Sequence, residues 1–204
     1  MTETQIHKTS YKKIKNENFD NENRDNIMFK WGKIDNSIFE NSSVSNSDIG
    51  ESLIENSTFN NSKLENVKNF HGKFNKCNFK KLILKNYDGR DNIFDECIFK
   101  DIFFESSTLR GSKFISCIFK NCIFDNSDLK KINFGNSTLV NINFFKCDLF
   151  MTDFRSVQAE HAKIETSNTF LIKLDKNNLI VGLIELYGAT TSALLLKPFY
   201  RPKM

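Results

Sequence analysis

Much of what marks an enzyme is missing from this sequence. Its three histidines, His7, His71 and His161, are scattered and show no metal-ligand spacing. There is no glycine-rich phosphate loop, no nucleophile elbow and no pairing of carboxylates; Asp and Glu fall as spaced surface charges. Catalysis, a cofactor and a metal therefore find no support. Met1–Ser10 is polar and has no apolar leader segment. The fairly apolar run Leu179–Leu196 is interrupted by Gly182, Glu185, Gly188 and Thr190-Thr191, which argues against a membrane span. A cytoplasmic protein is expected. Charge of one sign is also lacking: between residues 35 and 165, 18 acidic residues face 17 basic ones.

What is present is a five-residue beat. Of the 31 positions reached by stepping in fives from Phe19 to Thr169, 27 are apolar, and only Arg24, Asn69, Gly89 and Thr169 interrupt. A period of five fits neither a helix nor a strand. Fixed self-similarity of this kind marks a repeat architecture, in which each unit buries its apolar side only against its neighbours. Two residues before each apolar centre stands a small one: Ser37, Ser42, Ser47, Ser52, Ser57 and Ser62 in succession, then mostly Cys or Ser as far as Cys147. Residues two apart in an extended segment share a side, so both point inward. The remaining three positions are polar and rich in Asn, Lys, Asp and Glu, which suits turns and solvent.

Segments such as SNSDI, ENSTF, NKCNF, DECIF and DNSDL make the chain resemble the pentapeptide repeat family over roughly residues 16–174. The resemblance implies an all-β fold, a right-handed quadrilateral β-helix of about eight coils, with one pentad per side. At a strand spacing of roughly 4.8 Å the rod is on the order of 38 Å long. Residues twenty apart then stack. Phe19, Phe39, Phe59, Phe79, Phe99 and Phe119 form one column; Phe74, Phe94, Phe114, Phe134 and Phe154 form another. The expected division is 1–15 as an N-terminal cap, 16–174 as the β-helix and 175–204 as a C-terminal cap. A hydroxyl residue before the Ala193–Leu196 run and Pro198 after it predict a short C-terminal helix. This layout resembles the closing element of quinolone-resistance-type relatives, which implies a homodimer through it. The cysteines Cys77, Cys97, Cys117, Cys122 and Cys147 all occupy the small inward slot, which predicts buried, reduced thiols.

Two irregularities supply candidate binding residues. Asn69 and Gly89 break the beat on one face in adjacent coils. Tyr87-Asp88-Gly89-Arg90-Asp91 reads as a turn with positive φ at Asp-Gly. A bulge or protrusion is expected there, with Phe70 rotating in to compensate. Its recognition surface would be Asn69, Phe70, His71, Tyr87, Asp88 and Arg90. Elsewhere Ile83, Phe103 and Ile123 fill one outward column in three successive coils, and Ile98 and Ile118 a column on the neighbouring face. These read either as β-formers on an exposed strand or as an apolar strip that docks a partner.

Two functions follow. One is a non-catalytic scaffold for an unidentified protein partner. The other, implied by the resemblance, is a DNA mimic that binds gyrase or topoisomerase IV and shields it from quinolones or toxins. A mimic must be acidic, and only residues 35–65 fit, with six acidic residues against Lys63. Residues 66–90 hold seven basic residues against Asp88 alone. Spread over several faces, these do not predict direct nucleic-acid binding.

Overall fold

The computed structural model describes residues 13–174 and the backbone of Ile184–Tyr187. Every described pairing of strands is parallel, and up to residue 173 partners lie twenty residues apart, as in Phe79 with Phe99 and Phe74 with Phe94. The chain is an all-β parallel solenoid of about eight turns. Each turn has four five-residue sides. The side centred on Phe19 and the next, centred on Arg24, share one extended sheet, in which Ile118–Asp125, Thr138–Phe145 and Gln158–Glu165 run continuously round the corner. The third side, centred on Phe29, is held by a file of single bridges from Met28–Asp48 to Asp148–Asn168. The fourth carries a separate six-stranded sheet from Lys13–Lys15 to Lys113–Ile115. Among the described residues the first pairing is Lys13 with Lys33.

Both inward positions of each pentad are buried along most of the rod, and their division of labour follows from size. The centres fill the lumen with phenylalanine. The six-membered column from Phe19 to Phe119 stacks at ring separations of 4.5–5.2 Å. The column from Phe74 to Phe154 does the same, and a third, Phe104, Phe124 and Phe144, lines the second side. Columns meet edge to face, as Phe99 and Phe114 do at 5.7 Å and 80°. The small slot turns the corner. Its hydroxyl donates to the carbonyl two residues before it and to one on the coil below, as Ser107 does to Glu105 and Leu84. It also accepts the backbone N–H twenty residues earlier, as Ser107 does from Tyr87.

Cysteine replaces serine in the same bonds: Cys97 Sγ donates to the carbonyls of Asp95 and Phe74. All five thiols are buried and free. The neighbouring Cys117 thiol and burial push Cys97 up to about 12. Burial does the same for Cys122 and Cys147.

The fifth residue of each pentad lies in the left-handed region, from Asn16 at φ 58° to Leu171 at φ 58°. Asparagine tolerates that region best among residues with a side chain. Its amide then bonds its counterpart a coil away: Asn66 Nδ2 donates to Asn46 Oδ1 at 3.0 Å, and Asn86 Nδ2 to Asn66 Oδ1 at 3.0 Å.

At the first described coil an inward position holds Arg24, which lines the same apolar interior as Phe19, Ile27 and Phe29. It turns over the Phe19 ring at 4.9 Å and donates from Nε to Glu22 at 2.8 Å. At the other end Ile184–Tyr187 pairs with Ala162–Glu165, an offset of 22 residues instead of 20. The predicted C-terminal helix and dimer element lie outside the described residues. Among the described residues no helix is long and apolar enough to cross a membrane.

Candidate protein-interaction faces

The irregularity at Asn69 and Gly89 is internal. No protrusion forms, because Asp88 keeps its place between Lys68 and Thr108 in the bridge file. The positive φ falls at Asp91, the usual corner, and not at Gly89. Phe70 stays half-buried on the outside, with its ring edge-on to His71 and 5.0 Å from Lys30 Nζ. The lumen is filled instead by Tyr87, which occupies a slot that Ser107, Ser127 and Cys147 fill on the following coils. A Cβ on Gly89 would stand 2.4 Å from the Tyr87 ring and 2.8 Å from Leu109. The Tyr87 hydroxyl accepts from Asn69 Nδ2 at 3.0 Å, and burial pushes its ionisation up. Asn92, also inward, accepts the Gly72 N–H at 2.6 Å.

The expectation that Asn69 and Tyr87 face a partner is therefore corrected: they are 1% and 4% exposed. Swapping the large and small positions of one pentad let the coil keep its register while the side chains reversed roles. Of the six residues proposed around this break, Phe70, His71, Asp88 and Arg90 remain at the surface. Arg90 is engaged by Asp88 through two bonds of 2.7 Å. Beside them a shallow open groove runs along the corner, lined by Asn86, Asp88, Arg90, Thr108, Arg110 and Asp128.

The apolar column is where the sequence placed it. Ile83 pairs in register with Phe103, and Phe103 with Ile123. The two isoleucines are 45% and 44% exposed, and Phe103 is half-buried. Across the corner Ile98 and Ile118 stack in register, also exposed. The structure separates this strip from Phe70, His71 and Arg90, which lie round the next corner.

A second column was missed. Lys80, Lys100 and Lys120 stack in register between the two apolar columns. Read as a linear band, these lysines merge with Lys81 and Lys85; only a step of twenty separates them into a file.

The family model of the SV2A/B/C luminal domain matches residues 50–144. No curated protein matches the chain. Among solved structures, a trypsin-treated QnrB1, a plasmid-mediated fluoroquinolone resistance protein, is 15% identical, with 81% of this chain and 93% of that chain covered and a TM-score of 0.40. HetL, a pentapeptide repeat protein involved in heterocyst differentiation regulation from the cyanobacterium Nostoc, is 11% identical, with coverage of 81% and 87% and a TM-score of 0.34. Rfr23, a pentapeptide repeat protein from the cyanobacterium Cyanothece, is 11% identical, with coverage of 81% and 88% and a TM-score of 0.24. On its own five-residue beat and the four-sided coil that the beat builds, the chain folds as a parallel β-helix of five-residue repeats.

Proposed function

We propose that this protein is a non-catalytic scaffold that presents the sides of its rod to a protein partner. The carrying observation is the Ile83, Phe103 and Ile123 column, three large apolar side chains in register on the outside of a sheet whose inner side buries Leu84, Phe104 and Phe124. Large apolar side chains aligned on a rigid outer face favour association. Bound protein would gain from covering them, and a rod held together by inward packing needs no rearrangement to receive it.

A DNA-mimicking protector of type II topoisomerase is the competing reading. QnrB1 is a fluoroquinolone resistance protein, but this chain carries a net charge of +4. The stacked lysines lie on a face where a mimic would need carboxylates.

Affinity capture with wild type and with Ile83→Ser/Phe103→Ser/Ile123→Ser separates these readings. The scaffold reading expects a protein retained by wild type and lost from the triple variant. Equal retention by both would remove the column from the function. A gyrase supercoiling assay with a quinolone is expected to show no protection at micromolar protein.

A further inference from the structure

We propose that the face carrying Lys80, Lys100 and Lys120 receives an extended acidic protein segment whose carboxylates alternate with apolar side chains. The proposal rests on the scaffold reading and gives its partner a chemistry.

Several lysines of the rod meet a carboxylate on a neighbouring coil. Lys33 meets Glu55 at 2.7 Å, Lys85 meets Glu105 at 3.0 Å, and Lys130 meets Asp148 at 3.0 Å. Lys80, Lys100 and Lys120 depart from this. Parallel register puts them directly over one another, at a strand spacing of about 4.8 Å. Among the described residues none of the three has an ion-pair partner. Like charges directly opposite on neighbouring strands destabilise a sheet. This file is a cost that folding alone does not relieve, and a bound anion would.

The flanks decide which anion. On one side stand Ile98 and Ile118, 42% and 45% exposed, on the same strands as Lys100 and Lys120. Across the corner stand Ile83, Phe103 and Ile123. Five apolar side chains around three ammonium groups fit a segment that brings both carboxylates and apolar groups. A phosphate backbone has nothing to place on the isoleucines. Asp101, Glu105 and Asp125 on the same coils would repel a uniform polyanion and an anionic lipid surface alike. Charge complementarity sets the position along the rod, and the apolar flanks exclude water from the contact.

The test uses the full chain and a fluorescent twelve-residue peptide of alternating Leu and Glu. Controls are the same peptide with Ser for Glu, a 20-base-pair DNA duplex, and phosphatidylserine–phosphatidylcholine vesicles. The proposal predicts saturable binding of the Leu-Glu peptide that weakens with salt. Binding should fall at least tenfold in Lys80→Gln/Lys100→Gln/Lys120→Gln and at least threefold in Ile98→Ser/Ile118→Ser. The Leu-Ser peptide should not bind. All five side chains point outward, so both variants should fold; the unfolding transition, measured alongside, should stay at wild type in the isoleucine variant and stay or rise in the lysine variant, which loses the like-charge file. The proposal is overturned by no peptide binding, by equal binding to the variants, or by tighter binding of DNA or vesicles than of the peptide. A protein partner still captured by the lysine variant would leave the scaffold reading standing and remove this inference alone.

Discussion

Tyr87 stands in the space that a side chain on Gly89 would take, with its ring 2.4 Å from where that Cβ would lie. The two residues belong to one pentad, and between them they exchange the large and small inward roles. Each is accordingly intolerant of change on its own. Gly89→Ala should cost about 1–3 kcal/mol through overpacking, and Tyr87→Ala about 3–5 kcal/mol through the cavity it leaves. Tyr87→Ser/Gly89→Leu restores the usual order, beneath Leu109 of the same column. It should be less destabilised than the sum of its single changes. Chemical denaturation of the four proteins measures the coupling.

Phe114 is fully buried, stacked on Phe94 at 4.7 Å and Phe134 at 5.2 Å, with Phe99 and Phe119 edge-on. Phe114→Ala should lose about 3–5 kcal/mol. Ile83→Ser, on the outside of its strand, should change stability by about 0.5 kcal/mol or less. Urea midpoints that failed to separate these two would contradict the assignment of inner and outer columns.

The buried thiols make stability fall in alkali. Cys97, Cys122 and Cys147 are pushed up to about 12 in the fold, from an ordinary value of 9.0. Above pH 9 the unfolded chain loses these protons while the folded chain keeps them, so the stabilisation is whole below pH 9 and is lost as pH rises toward 12. The melting temperature should drop across that window. Cys97→Ser/Cys122→Ser/Cys147→Ser should show a shallower drop, since serine makes the same carbonyl bonds without titrating. A thiol reagent should find all five cysteines in denaturant and react slowly with them in the folded protein.

Asn66 sits at φ 53° and links Asn46 to Asn86. Asn66→Ala should cost about 1–2 kcal/mol, since alanine meets the left-handed penalty and makes no amide bond. Asn66→Gly should cost less, because glycine escapes the penalty. Thermal melts of the two variants give the order directly.

The coil was legible because one number, five, governs it. Period, inward slots and two of the three phenylalanine columns can be written from the sequence by counting, and the third column, Phe104, Phe124 and Phe144, is present in the same count. The break at residues 69–92 was misread because turn chemistry was applied locally: Asp88-Gly89 favours a hairpin turn in isolation. Hydrogen bonds from the coils above and below hold that backbone in register, and only the side chains adapt. Tyr87 looked like a surface residue because its slot is normally small; a missing centre two residues later was the signal that it turns inward. Arg24 broke the beat for a different reason: its guanidinium pairs with Glu22 and its side chain keeps 36% exposure. The lysine column was hidden because charge was read along the chain, whereas the surface is ordered along the rod.

Stacking of residues twenty apart is the premise of every column described, and spin-label distances test it in solution. With the native cysteines changed to serine, one label is placed at Ser43 and the second at Phe103, Ile123 or Asn143. These sites lie on one side, three, four and five coils away. Electron–electron resonance should give separations that rise by about 4.8 Å for each added coil. Separations that do not grow with coil number would contradict the solenoid and every surface derived from it.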